Sequence, residues 1–217
     1  MVAGGSGVRM GGGIPKQFLP LLGKPVLMHT LEKFQGLVDD IILVLPAEHF
    51  AFWKELCDEH SFLLKPLLVQ GGSTRTQSVI NGLNATSAPG IVAIHDAVRP
   101  LVSRSLISVL LQSAIIRGNA VPVIPVRESL RSVNALLNTA VNRDEFVMVQ
   151  TPQCFDLELI KAAYVKNSDQ YFSDDASVLE FSGSKIHLEE GEISNIKITF
   201  KEDFLFAEAL LQSNISG

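Results

Sequence analysis

The sequence predicts a doubly wound α/β fold on a mostly parallel sheet. Three observations carry that prediction. Short apolar runs recur along the chain, stretches of helical periodicity fall between them, and a glycine-rich loop stands where the first strand should end. Apolar runs without polar alternation suit strands covered on both faces, the habit of parallel sheets. Strands alternating with helices imply crossover connections and helices on both faces of one sheet.

The runs are IILVL at 41–45, LLV at 67–69, IVAI at 91–94, AVPVIPV at 120–126 and VMV at 147–149. Within 103–117, Leu106, Ile107, Leu110, Leu111, Ala114 and Ile115 fall on one helical face. Thr74-x-x-Gln77 ahead of a helix at 75–85, and Thr199-x-x-Glu202 ahead of the last helix, have the form of capping boxes. Segment 127–146 is polar and poorly periodic, either a surface excursion or an arm that reaches a partner. No repeat, low-complexity tract or linker divides the chain, so a single domain over 1–217 is expected.

Composition narrows the function classes. With 47% hydrophobic and 19% charged residues, the chain has the make-up of a soluble globular protein. No apolar run is long enough to cross a bilayer, and the N-terminus lacks the pattern of a signal peptide. Cys57 and Cys154 lie far apart without metal-ligand spacing, so reduced thiols and a cytoplasmic location are expected. A net charge of −5 argues against bulk nucleic-acid binding and leaves a single nucleotide as the expected partner of that class.

The opening segment, MVAGGSGVRMGGGIPKQ, departs from the acidic balance: the first acid of the chain is Glu32, whereas Arg9, Lys16 and Lys24 precede it. Glycine-rich loops after a first strand hold phosphates because bare amides can point at an anion. A Walker loop is excluded, since Gly23-Lys24 runs into Pro25 where a hydroxyl residue is needed. The dinucleotide fingerprint is broken at Met10, and no acid stands at the ribose-binding distance. What remains is a long loop carrying its own cations, Arg9 and Lys16, able to wrap a triphosphate, or else a turn with two solvated charges. Lys24 has no counterpart in that scheme and is expected to be a solvated surface charge. Only Met1 and Val2 precede Ala3, although a strand typically needs about five residues. The first strand is therefore expected near the sheet centre, in a natural chain that begins several apolar residues upstream.

AGGSGVRMGGGIPKQFLPLLGKPVL resembles the signature of 2-C-methyl-D-erythritol 4-phosphate cytidylyltransferases. Further matches follow in the family's order: GGSTRTQSVINGL, IHDAVRP, TPQCF, and SDDASVLE with NIKIT. The resemblance covers essentially the whole chain, and ribitol-5-phosphate cytidylyltransferases share the framework. It implies a Rossmann-like nucleotidyltransferase with a protruding dimerisation arm at 127–146. The implied reaction transfers CMP from CTP to 2-C-methyl-D-erythritol 4-phosphate and releases pyrophosphate.

The resemblance also implies roles. Arg9 and Lys16 would stabilise charge on the α-phosphoryl group as the catalytic cations. Ala3, Gly4, Gly5, Gly7, Gly72, Ser73 and Ser78 would bind the nucleotide, the last three around cytosine; many relatives carry an acid where this chain has Ser73. Asp96, Ser129, Arg143, Thr151, Ser173 and Lys197 would position the acceptor, with Ser where relatives have Thr at 129 and 173. Ser173 would also cap a helix whose first turn carries Asp174 and Asp175. Arg99 is a candidate structural partner for Asp96, and His95 is expected to be a packed histidine. Mg²⁺ is the implied cofactor, held mainly by CTP phosphates with Asp96 a possible ligand. In relatives the arm is exchanged across a two-fold homodimer, so Arg143 would serve the neighbouring site. Nucleic acid and membrane are not expected as partners.

Overall fold

A computed structural model describes residues 1–4, 13–167, 170 and 172–215. In chain order the strands are β1 (Pro20–Leu21), β2 (Lys24–Pro25), β3 (Ile42–Leu45), β4 (Leu67–Gln70), β5 (Ile91–Ile94), β6 (Asn119–Pro125), β7 (Leu130–Val133), β8 (Asn138–Val141), β9 (Val147–Val149), β10 (Gln153–Asp156) and β11 (Leu188–Glu190). The helices are α1 (Val26–Phe34), α2 (Phe50–Glu59), α3 (Arg75–Asn84), α4 (Arg104–Arg117), α5 (Leu157–Lys166), α6 (Asp175–Phe181) and α7 (Lys201–Ile215).

β3 pairs with β4 in parallel, and β5, β10, β6 and β11 form a second ladder. Val2 joins the two, bridging Val44 at the β3 side and Asp96 beyond β5, both in parallel. Its N–H donates to the His95 carbonyl at 2.9 Å, and its carbonyl accepts from Ala97 N–H at 3.1 Å. The short opening segment thus takes the central position between β3 and β5 that a doubly wound sheet assigns to its first strand. Within this mostly parallel arrangement β10 runs antiparallel to both β5 and β6.

Alternation along the strands puts helices on both faces. Cys154 and Ala120 pack with Phe34 of α1 and Leu106, Ile107, Leu110 and Ala114 of α4. Their neighbours Phe155 and Val121 pack on the other face, against Leu83 of α3, Ile160 of α5 and Leu179 of α6. Leu43 and Leu45 meet α1 and Trp53 of α2. Ser103 caps α4 through Leu106 N–H, and Gly118 ends it with φ +84°, a left-handed turn that glycine adopts without a Cβ penalty.

Four local expectations are corrected. VMV at β9 is not buried on both faces: Val147, Met148 and Val149 are 43–47% exposed, because β9 pairs, among the described residues, with β6 alone. Segment 127–146 is not irregular but carries the β7–β8 hairpin, largely exposed along both strands. At the start of α7 the cap is Asp203, whose carboxylate accepts from the N–H groups of Thr199 and Phe200; Glu202 is not the partner of Thr199. Lys24 is not simply solvated, since its ammonium meets Glu32, in the last turn of α1, at 2.5 Å.

His95 closes the sheet end where β5 meets the segment before β10. It is buried against the Phe34 ring, with Nδ1 3.0 Å from Thr151 Oγ1 and Nε2 in a long 3.4 Å contact with the Arg99 carbonyl. A carbonyl only accepts, so Nε2 carries the proton and Nδ1 accepts from the Thr151 hydroxyl. That hydroxyl oxygen in turn accepts from Asp96 N–H at 3.1 Å. Burial pushes the imidazole down to about 3, outweighing the upward pull of Asp96. A base whose native pKa is depressed contributes stability that is present above its unfolded value of 6.5 and is lost as pH falls towards 3. The stability gap between wild type and His95→Gln, read by urea unfolding, should therefore narrow from pH 7 to pH 4 with a slope approaching about 1.4 kcal/mol per unit. Parallel pH profiles for the two proteins would show that His95 is not held neutral.

Candidate active site

The site forms at the carboxyl ends of the central strands, where open α/β sheets place ligands. One side is built from the opening segment and the β4–α3 turn. Ala3 is tied to β3 by its N–H, which donates to Val44, and its carbonyl accepts from buried Gln17 Nε2 at 2.8 Å. This second bond joins the two ends of the opening segment. It also fixes the short helical turn Lys16–Phe18, whose Phe18 packs among His49, Phe52 and Trp53. Lys16 is half-buried between these two anchors. Arg9, Gly5 and Gly7 lie outside the described residues.

Opposite, Thr74 caps α3 by accepting from Gln77 N–H at 3.0 Å. Only half of the expected capping box is made, because the Gln77 amide turns along the helix to Asn81. Buried Ser78 accepts from Gly72 N–H at 3.1 Å and donates to the Thr74 carbonyl at 2.9 Å. These bonds fold the turn over the helix start. A Cβ on Gly72 would lie 2.1 Å from Gln77 Cγ, so the turn requires glycine there. Gly4 faces the same hydroxyl: a Cβ at Gly4 would sit 3.5 Å from Ser78 Oγ. Ala3, Gly4, Gly72 and Ser78 are thus brought together, and Ser73 is exposed next to Gly72.

The other side centres on Asp96, buried just beyond β5. Lys197 Nζ meets its Oδ2 at 2.8 Å, and Arg99 Nε lies 3.5 Å from the same oxygen, a charge contact rather than a hydrogen bond. Burial alone would raise this carboxyl; the Lys197 ammonium, with Arg75 and Arg99, overrides it and holds the group at about 2. Lys197 reaches the site because its segment is pinned. Asn195, fully buried, donates from Nδ2 to the Thr151 carbonyl at 2.9 Å, Arg99 donates to the Asn195 carbonyl at 2.7 Å, and Ile198 N–H donates to Val98 at 2.9 Å. Asp96, Thr151 and Lys197 therefore converge, with Arg99 as the structural partner.

Three further assigned residues lie on the surface. Arg143 and Ser129 are exposed on the arm, and Arg143 bonds locally, to the Arg127 carbonyl at 2.6 Å. Ser173 is exposed and does not cap α6; Asp174 does, accepting from Ser177 N–H. A carboxylate at that position both meets the helix dipole and accepts the orphan amide. Asp175 stands in the first turn as expected, and it is fully buried in an ion pair with Arg75, a contact that local pattern does not signal. Among the described residues no group of three or more His, Cys, Asp or Glu side chains could hold a metal ion. Both described thiols are free, with burial pushing Cys57 up to about 11 and Cys154 to about 12.

Comparison with known proteins gives the same picture along the whole chain. The family model for IspD, 2-C-methyl-D-erythritol 4-phosphate cytidylyltransferase, matches residues 1–213. The protein of that name from Bacteroides fragilis is 48% identical over 213 residues, covering 97% of each chain. Its counterpart from Porphyromonas gingivalis is 47% identical over 214 residues, covering 98% of this chain and 96% of that protein. Among solved structures, the Thermus thermophilus enzyme superposes with a TM-score of 0.78 at 32% identity, covering 97% of this chain and 96% of its own. The 4-diphosphocytidyl-2C-methyl-D-erythritol synthase of Anaerococcus prevotii gives 0.83 at 30% identity, covering 97% and 93%. A chain matched over its length in sequence, and in a fold whose strand ends carry the two-sided site described above, belongs to the 2-C-methyl-D-erythritol 4-phosphate cytidylyltransferase family.

Proposed function

We propose that this chain transfers CMP from CTP to 2-C-methyl-D-erythritol 4-phosphate. The observation that carries the reading is the two-sided site: a glycine and hydroxyl turn at Gly72 and Ser78 opposite a buried carboxylate, Asp96, paired with Lys197. A phosphate oxygen of the acceptor attacks the α-phosphorus of CTP. A new P–O bond forms, the bond to the β-phosphate bridge breaks, and pyrophosphate leaves. Both reactants are anions, so fixed cations and positioning supply most of the catalysis. Lys16 and Arg9 meet the charge that builds on the α-phosphoryl oxygens. Ala3, Gly4, Gly5, Gly7, Gly72, Ser73 and Ser78 hold the nucleotide, and Asp96, Thr151, Ser173 and Lys197 orient the acceptor.

Magnesium suits the donor set. It takes hard oxygen ligands and keeps waters, so a single carboxylate such as Asp96 is enough when triphosphate oxygens complete the shell. Bound there, it would neutralise phosphate charge. Location in the cytoplasm fits free thiols; among the described residues no helix is long and apolar enough to cross a membrane. Small-molecule substrates, with no role for nucleic acid, fit the acidic balance.

The hairpin supports a homodimer with exchanged arms on a single catalytic domain. Its apolar side chains Val133, Leu136 and Leu137 are 69–91% exposed, and Arg143 and Ser129 stand beside it rather than with Asp96. An isologous exchange would carry them to the partner's site.

Two measurements test this reading. Offered a panel of polyol phosphates with CTP and magnesium, the protein should release pyrophosphate fastest with 2-C-methyl-D-erythritol 4-phosphate; a preference for ribitol 5-phosphate would move it to the other acceptor. Arg143→Ala and Lys16→Ala subunits, each of low activity, should recover up to about a quarter of wild-type activity when mixed, because half the dimers are hybrids with one intact site. No recovery, with hybrids confirmed by native mass spectrometry, would reject the exchanged arm.

A further inference from the structure

An ion pair joins the nucleotide side of the site to the start of α6, which follows Ser173. Arg75 is the first residue of α3, directly after the Thr74 cap and in the same turn as Gly72 and Ser78. Asp175 is the first residue of α6, two positions after Ser173. The Arg75 guanidinium makes two parallel bonds to the Asp175 carboxylate, at 3.0 and 2.6 Å. Tyr164 of α5 donates its hydroxyl to Asp175 Oδ1 at 2.5 Å. Asp175 is fully buried, while the Arg75 side chain keeps 34% of its exposure.

We propose that Arg75, Asp175 and Tyr164 form a positioning brace that sets the nucleotide side of the site at a fixed distance and angle from the acceptor side. The proposal rests on the two-sided reading given above. Its chemistry is that of a planar fork on a planar carboxylate, which fixes orientation as well as separation; a lysine in the same place would fix only a point contact. The Tyr164 hydroxyl completes the carboxylate's bonding and locks its plane. A second tie holds the far end: Gln153 of β10 donates to Asp174 Oδ2 at 2.8 Å and accepts from Ala176 N–H at 2.8 Å. The start of α6 is thus fastened to the sheet by Gln153 and to the nucleotide turn by Arg75. Arg75 also lies close enough to Asp96 to help keep that carboxylate ionised.

Alignment of two anionic reactants is the quantity such a brace controls. A displacement of about 1 Å between reacting groups can cost a hundredfold in rate without weakening either substrate. Arg75→Lys should therefore lower kcat about a hundredfold, and Tyr164→Phe about tenfold, while the Kd values of CTP and of the acceptor phosphate, read separately by calorimetry, stay within about threefold of wild type. Where Arg75→Lys fails to fold, Tyr164→Phe decides, with its melting temperature measured alongside. Wild-type turnover in the same assay reports on the proposed reaction by itself. Amide exchange gives a readout independent of turnover: CTP should add protection at 174–178 in wild type and not in either variant. The brace is overturned by kcat within threefold of wild type in the folded variants, by a loss matched by one substrate's weakened Kd, or by CTP-induced protection at 174–178 that is absent from wild type or unchanged in the variants.

Discussion

The site depends on one constraint: a carboxylate buried at the end of the central strands has to stay charged. Asp96 sits just beyond β5, where burial would neutralise it, and only the nearby cations keep it ionised. Each cation arrives from a different part of the chain. Lys197 comes from the segment pinned by Asn195 to Thr151, Arg99 from the turn after β5, and Arg75 from the start of α3. Through Lys197 and Arg99 this buried charge ties the segment around Asn195 to the turn after β5, and Arg75 adds its field from α3. The neutral imidazole of His95 completes the arrangement, accepting from the Thr151 hydroxyl, whose oxygen accepts from the Asp96 amide.

The central position of Val2 explains why these segments meet. Its backbone spans β3 and β5, so Ala3 and Gly4 emerge between the β4–α3 turn and the Asp96 cluster after β5. Gln17, next to Lys16 in sequence, then ties the chain back to Ala3. Fold and site are thus linked through backbone pairing at two or three residues.

Much of this was legible in the sequence because it is local. Runs at 41–45, 67–69 and 91–94 became β3, β4 and β5, and Thr74 caps α3 as its motif implied. The parts that escaped depend on partners distant in the chain. β10 is a strand buried between β5 and β6, yet its sequence QCFD mixes polar and apolar residues because Gln153 is spent on holding α6. Asp175 has the look of a solvent-facing first-turn acid, and its partner Arg75 stands 100 residues earlier. The hairpin at β7–β8 has no periodic apolar face covered within the chain, so periodicity could not announce it. Among the candidate site residues, those on strand ends converge as their motifs imply, whereas Arg143 and Ser129 remain on the arm.

Lys197, helped by Arg99 and Arg75, keeps Asp96 ionised in spite of its burial. The direct measurement is the Asp96 carboxyl carbon resonance followed by NMR as pH is lowered, in wild type and in Lys197→Met. The wild-type signal should stay at its ionised position through the ordinary aspartate value of 3.8, consistent with a midpoint of about 2, and the variant's midpoint should move upward. A wild-type midpoint at or above 3.8, or one that Lys197→Met leaves in place, would contradict the account.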